Sequence, residues 1–64
     1  MMGLDVMRKE LHDRRLHVVS EETGISYGIL LNIRDNPLAN PKYRDALALS
    51  DYLVRLAVEA GSNG

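Results

Sequence analysis

The chain has 64 residues and a mass of 7.2 kDa, enough for one small domain, because a chain of this length buries only about 60% of the surface that its unfolded form exposes. It contains no cysteine, so a disulfide framework and a thiolate zinc site are excluded and an intracellular protein is expected. The net charge of −1 supplies no overall basic field, so any binding to nucleic acid has to depend on local charge and geometry.

No membrane-spanning segment is expected. The longest uncharged run covers 11 residues, 23–33, whereas crossing a bilayer takes about 20 apolar residues. The N-terminal residues carry mixed charges instead of a basic segment followed by an apolar one, which argues against a signal peptide.

Apolar residues recur with the period of an α-helix in four segments. We therefore predict an all-α fold, a compact bundle of four to five helices that forms one domain over residues 1–60. The first predicted helix covers residues 4–12, and Asp5 is placed to stabilise its first turn. Its apolar stripe is formed by Leu4, Met7 and Leu11. Its outward side is predicted to hold Arg8, Lys9 and Glu10.

The second predicted helix is short, covers residues 16–23, and ends at Gly24, which is free to adopt the left-handed conformation. The third helix opens at Ser26, whose hydroxyl is able to cap the first turn, and it ends near Asp35. Its core-facing side is predicted to consist of Ile29, Leu30 and Ile33.

Two Asn-Pro pairs, at positions 36–37 and 40–41, bracket a loop, since the residue before a proline is pushed out of the helical region. Asn40 is predicted to cap a fourth helix that begins with Pro41 and ends near residue 60. Its core face is predicted to contain Ala46, Leu49, Tyr52, Leu53, Leu56, Ala57 and Ala60. A second apolar stripe remains outside the core and consists of Leu47, Val54 and Val58. Residues 61–64 are predicted to form a disordered tail.

The segment from residue 16 to residue 33 predicts a helix-turn-helix, within a motif region of about residues 16–35. Two helices that cross at about 90 to 120° through a short turn need a small residue at their closest approach, and Ser20 occupies that place. Gly24 supplies the positive φ that the turn needs. The apolar positions that join the two helices are filled by Val19, Ile25, Leu30 and Ile33.

The stretch Thr-Gly-Ile-Ser-Tyr at residues 23–27 is followed by Asn40-Pro41 and then by Ala46, Leu49, Tyr52 and Leu53. In these positions residues 4–56 resemble small phage Cro and repressor-type helix-turn-helix proteins, which are lambda-repressor-like. The resemblance implies that the second helix of the motif enters the major groove of DNA and that later helices complete the core and a dimer interface. Ser20, Gly28 and Ala46 depart from the usual residues of that family, and a glycine inside a helix costs about 1 kcal/mol relative to alanine.

If the third helix reads DNA, the residues on its outward side contact base edges. Asn32 is able to bond N6 and N7 of adenine, Tyr27 to reach a phosphate or a base edge, and Leu31 to meet a thymine methyl group. The candidate base-reading residues are Ser26, Tyr27, Gly28, Leu31 and Asn32.

Candidate phosphate contacts flank this helix on both sides, as docking on a duplex requires. They lie at the start of the second helix, at the end of the third and at the start of the fourth, where polar side chains and helix N-terminal N–H groups attract phosphate. They are Arg14, Arg15, His17, Arg34, Asn40, Lys42, Tyr43 and Arg44.

These residues predict a sequence-specific regulator of transcription that binds double-stranded DNA and acts in the cytoplasm of a bacterial host cell by occupying an operator. The alternative is a protein-interaction module on the same scaffold, antitoxin-like or a phage inhibitory protein, because the net charge is −1 and the tip of the reading helix is uncharged. An enzyme is not expected, since the adjacent Glu21 and Glu22 point about 100° apart and no nucleophile with a base is discernible. No metal or other cofactor is expected, because His12 and His17 have no cysteine to complete a ligand set.

A weak homodimer is predicted through the second apolar stripe of the fourth helix, Leu47, Val54 and Val58. Three aliphatic side chains bury less than the roughly 800 Å² per partner of a stable interface, so the dimer is expected to be completed on DNA.

Overall fold

A computed structural model describes residues 1–61, and that part of the chain contains four α-helices and no strand. The helices are α1 (Leu4–His12), α2 (Leu16–Thr23), α3 (Tyr27–Asp35) and α4 (Tyr43–Gly61). The prediction of an all-α fold is confirmed. Within the same residues, no helix is both long and apolar enough to cross a membrane.

The ends of the first three helices agree with the prediction. Gly24 ends α2 in the left-handed conformation, with a φ of 77°. Ser26 begins α3 as its N-cap, and its Oγ accepts a hydrogen bond from the backbone N–H of Ile29 at 3.3 Å. Both signals were local, because each depends on the conformational preference or the hydroxyl of a single residue.

Two side chains of α2 stabilise the turn that leads into α3. The Ser20 hydroxyl donates to the carbonyl oxygen of Ile25 at 2.6 Å. The Thr23 hydroxyl donates to the carbonyl oxygen of Val19 at 2.7 Å and accepts from the N–H of Ile25 at 3.2 Å. The two bonds to Ile25 satisfy the N–H and the carbonyl group of a turn residue, so they fix the path of the chain from one helix to the next.

The core is aliphatic and receives side chains from all four helices. Leu30 and Leu49 are fully buried where the helices meet, as predicted. The buried cluster consists of Met7, Leu11, Leu16, Val19, Ile25, Leu30, Ile33, Ala46, Leu49, Tyr52 and Leu53. Among the described residues, Ser50 is the buried polar side chain, and its Oγ accepts the N–H of Met2 at 2.7 Å, which holds the N-terminal segment against α4.

The predicted start of α4 is wrong by two residues. The first backbone bond at its N-terminus joins the N–H of Ala46 to the carbonyl oxygen of Lys42 at 2.9 Å, so Lys42 and not Asn40 takes the cap position. Before it, Ala39 is buried, and its N–H donates to the carbonyl oxygen of Asn36 at 3.0 Å in a tight turn. Residues 40–42 then lead the chain from this buried anchor to α4, so Pro41 lies before the helix.

The predicted core face of α4 is also too long. Ala57 and Ala60 are exposed and Leu56 is only partly buried. The reason is length: the 19 residues of α4 span about 28 Å, whereas each other helix has eight or nine residues, and Leu53 is the last residue of α4 that is fully buried among the described residues. Of the predicted tail, Gly61 closes α4, and residues 62–64 lie outside the described residues.

The helical pattern predicted that Arg8 is directed outward, and this is wrong. Arg8 is half-buried where α1 meets the end of α3. Its Nε donates to the carbonyl oxygen of Ile33 at 3.2 Å. Lys9 is exposed as predicted. Glu10 is partly exposed and pairs with Arg14, with 3.2 Å between Oε1 and Nη2.

Candidate nucleic-acid interface

The outer surface of α3 carries most of the predicted base-reading residues. Tyr27, Gly28 and Asn32 are exposed, and Ser26 lies exposed at its start with its hydroxyl engaged as the helix cap. Leu31 is half-buried and packs against the core instead of pointing fully outward.

Ile29 is a second correction on this helix, because it was predicted to be in the core and its side chain is 39% exposed. Leu30 and Ile33 occupy the core-facing side of α3, and Ile29 precedes Leu30 by about 100° around the helix. This rotation turns Ile29 toward the opening between α3 and α4 and Leu31 toward the bundle.

The first turns of α2 and α3 lie side by side. The rings of His17 and Tyr27 are stacked, with their centroids 4.6 Å apart and an angle of 21° between their planes. Arg15, the N-cap of α2, is exposed and precedes His17 by two residues. Because the N-terminus of a helix carries partial positive charge and N–H groups without helical partners, this arrangement concentrates anion-attracting groups beside the outer surface of α3.

A groove of about 290 Å³ lies on the other side of that surface, between α3 and the start of α4. It brings Gly28 and Asn32 to the same opening as Asn40 and Lys42. Its lining is completed by Ile29, Ile33, Pro41 and Asp45. The structure thus brings predicted base-reading and predicted phosphate-binding residues together at one place.

Gly28 leaves open space on this surface. A Cβ atom added at residue 28 would meet nothing within 4 Å among the described residues. The packing of the protein therefore does not require glycine there, although alanine is the better helix former.

Two of the predicted phosphate-binding arginines are ion-paired. Nε and Nη2 of Arg34 donate to the two carboxylate oxygens of Asp35 at 2.8 and 2.9 Å. The hydrogen bonds raise the pKa of Arg34 and lower the pKa of Asp35. Arg14 is paired with Glu10, and its Nε is enclosed without a hydrogen-bond partner within residues 1–61. Neither guanidinium is therefore the free cation that the sequence suggested.

The remaining predicted contacts are accessible on both sides of α3. Arg15 and His17 are exposed at the start of α2, and Asn40, Lys42, Tyr43 and Arg44 are exposed around the start of α4. These side chains are free to approach an anion without breaking the core.

Sequence reasoning missed Asn36, which follows α3 as its C-cap. Its Nδ2 donates to Oδ1 of Asn32 at 3.2 Å, and its Oδ1 accepts the N–H of Leu38 at 2.9 Å. The spacing of four residues between two asparagines at the end of a helix was the available signal.

Searches for related family models, curated proteins and solved structures returned no match to this chain.

Proposed function

We propose that the protein is a sequence-specific regulator of the phage Cro or repressor type, in which α2 and α3 act as a helix-turn-helix and α3 enters the major groove of double-stranded DNA. The observation that carries this proposal is the stacking of His17 on Tyr27, which puts the first turns of α2 and α3 together. Arg15, the N-cap of α2, adds an exposed cation two residues before His17.

The outer surface of α3 suits a major groove, which is about 12 Å wide and admits one helix. Gly28 presents bare backbone there, so the helix is able to approach base edges closely. Tyr27, before Gly28 in the sequence, and Asn32, after it, are exposed and offer hydrogen-bonding groups. These groups would supply the sequence readout, which phosphate contacts do not give.

Phosphate contacts would position the helix from both strands. Arg15 and His17 serve one side, and Asn40, Lys42 and Tyr43 serve the other. Asp35 reduces the positive potential at the end of the reading helix, because it forms an ion pair with Arg34.

A second copy would complete the regulator. Leu47, Val54 and Val58 are exposed on one side of α4. Dimeric repressors of this type place two reading helices about 34 Å apart on a pseudo-palindromic operator, so we expect a dimer surface. The stripe is small, so we expect a monomer or a weak dimer in solution that pairs on DNA.

A protein-interaction module is the second candidate. Leu38, in the loop before α4, and Tyr43, the first residue of α4, are 86% and 71% exposed. In this candidate function another protein covers these two side chains.

The test is selection of bound sites from a random duplex pool, followed by anisotropy titrations of the selected duplex at several salt concentrations. We expect a defined motif and a linear fall of log affinity with log salt concentration. Arg15→Ala and Lys42→Ala should weaken all duplexes alike and each reduce the slope by about one. Lys9→Ala, the same charge change on the exposed side of α1, is the control and should change neither quantity.

Absence of an enriched motif, or binding that does not respond to salt, would reject the DNA-binding proposal. The same result would favour the protein-interaction module.

A further inference from the structure

A chain of two hydrogen bonds fixes the side chain of Asn32 on the outer surface of α3. The backbone N–H of Leu38 donates to Oδ1 of Asn36 at 2.9 Å, and Nδ2 of Asn36 donates to Oδ1 of Asn32 at 3.2 Å. A backbone N–H only donates, so Asn36 must present its oxygen to Leu38 and its nitrogen to Asn32. The orientation of the Asn36 amide therefore determines the orientation of the Asn32 amide.

The backbone of Asn36 is itself held in place. Its N–H donates to the carbonyl oxygen of Asn32 at 2.9 Å, and its carbonyl oxygen accepts the N–H of Ala39 at 3.0 Å. Pro37 follows and prevents the helix from continuing. The donor that orients Asn32 therefore sits on a rigid corner where α3 ends.

We infer that Asn36 is a positioning residue that determines base specificity, by turning Oδ1 of Asn32 toward itself and presenting Nδ2 of Asn32 to an acceptor on DNA. The inference rests on the proposed function. An outward amino group matches guanine, whose N7 and O6 both accept in the major groove. It matches adenine less well, because adenine N6 donates and would need Oδ1 of Asn32, which is turned toward Asn36 and has one of its two lone pairs already engaged. The sequence alone had suggested adenine at this position.

Asn36→Asp is the variant that separates the two orientations. Aspartate keeps an acceptor for the N–H of Leu38, but its other oxygen only accepts when ionised, so it binds Nδ2 of Asn32 and turns the amide over. Asn32 then presents Oδ1 outward, where it suits a base with a donor, such as cytosine N4 or adenine N6.

The experiment is site selection from a random duplex pool with the wild type, Asn36→Asp, Asn32→Ala and the double variant. In the wild type we expect guanine at one position, and in Asn36→Asp a shift of about tenfold in favour of a base that donates there. Asn32→Ala should lose preference at that position, and adding Asn36→Asp to it should change nothing more. Only the ratio of affinities for duplexes that differ in the base at that position is compared. A uniform loss of affinity caused by the new negative charge therefore does not affect the result.

A second measurement is made on the free protein. The Nδ2 proton resonances of Asn32 should shift in Asn36→Asp, because the amide changes its partner. Specific binding by the wild type with an unchanged base preference in Asn36→Asp would overturn the inference and leave the proposed function standing. Absence of specific binding by the wild type would reject both.

Discussion

The guanidinium of Arg8 in α1 donates from Nε to the carbonyl oxygen of Ile33 at 3.2 Å, and Nη2 reaches the carbonyl oxygen of Pro37 at 3.5 Å. Carbonyl groups in the last turn of a helix have no helical partner, and a cation is favoured there. Arg8 thus ties the end of α3, and the corner that follows it, to the first helix.

We expect Arg8→Met to destabilise the protein by about 1 to 3 kcal/mol, because methionine keeps the apolar stem and removes the charged donor from the partly buried carbonyl group of Ile33. Urea unfolding followed by circular dichroism measures the change. Lys9→Met is the matched control on the exposed side of α1 and should stay within about 0.5 kcal/mol of the wild type. Equal effects of the two substitutions would show that the bonds of Arg8 contribute nothing.

The position of Arg8 could not be predicted from the sequence. Helical periodicity sorts residues by polarity, so it placed this arginine in solvent beside Lys9. A long apolar stem allows the guanidinium to reach a neighbouring helix, and the acceptor, Ile33, is 25 residues away in sequence. Helix ends marked by Gly24 and Ser26 were predictable because their signals are local, whereas a contact between helices depends on how they pack.

Gly28 gives a prediction in which stability and binding change in opposite directions. Gly28→Ala should raise the free energy of unfolding by about 0.4 to 1 kcal/mol, because the added Cβ meets nothing within 4 Å and alanine restricts the unfolded chain. The same Cβ should weaken binding to the selected duplex if backbone approaches DNA there. Thermal unfolding and anisotropy titration measure the two effects. A variant that is more stable and binds as tightly as the wild type would remove Gly28 from the interface.

The pair between Arg34 and Asp35 should restrain binding to DNA. Asp35→Asn removes the negative charge and frees Arg34, so we expect tighter binding to all duplexes and a salt dependence that is steeper by about one unit. Asp51→Asn removes the same charge from an exposed position on α4 and serves as the control. An equal gain from both variants would assign the effect to net charge instead of to Arg34.

The pH dependence of this pair follows from the lowered pKa of Asp35. A carboxyl group with a lowered pKa contributes its stabilisation above its unfolded pKa, about 3.9, and loses it as the pH falls through the lower folded value. The pair therefore stays formed throughout the neutral range. Arg34 is released by substitution of Asp35 and not by mild acidification.

The candidate site was predictable in part. Tyr27, Gly28 and Asn32 lie on the outer side of α3 because the positions of Leu30 and Ile33 fix the rotation of that helix. The inward turn of Leu31 and the exposure of Ile29 were missed, since a period of 3.6 leaves the edges of an apolar face undetermined. The two ion pairs were missed because adjacent or nearby charges do not reveal their side-chain directions.

The core supplies a prediction of stability that does not depend on function. Leu30→Ala and Leu49→Ala should each cost about 2 to 5 kcal/mol, because both side chains are fully buried and truncation leaves a cavity. This loss is comparable to the whole stability of a small domain. Leu47→Ala, on the exposed side of α4, is the control. Denaturant unfolding that shows less than about 1 kcal/mol lost at both core sites would contradict the packing described above.

The last prediction concerns assembly through α4. Leu47, Val54 and Val58 recur at intervals of seven and four residues, so they fall within one narrow side of the helix. These side chains are 37%, 44% and 63% exposed, so the area that a second copy would cover is that of this stripe. Because the area is still below about 800 Å² per partner, we expect little dimer in solution and two copies on the operator.

Val54→Asp should leave the fold intact, since the side chain is 44% exposed, and should lower affinity for the complete operator while leaving a half-site unaffected. Sedimentation of the free protein and of its saturated complex gives the stoichiometry in each state. Val6→Asp adds the same charge at an exposed position on α1 and serves as the control. One copy bound to a non-palindromic selected site, with the same affinity in Val54→Asp, would exclude dimerisation through this side of α4 and leave α3 to read DNA as a monomer.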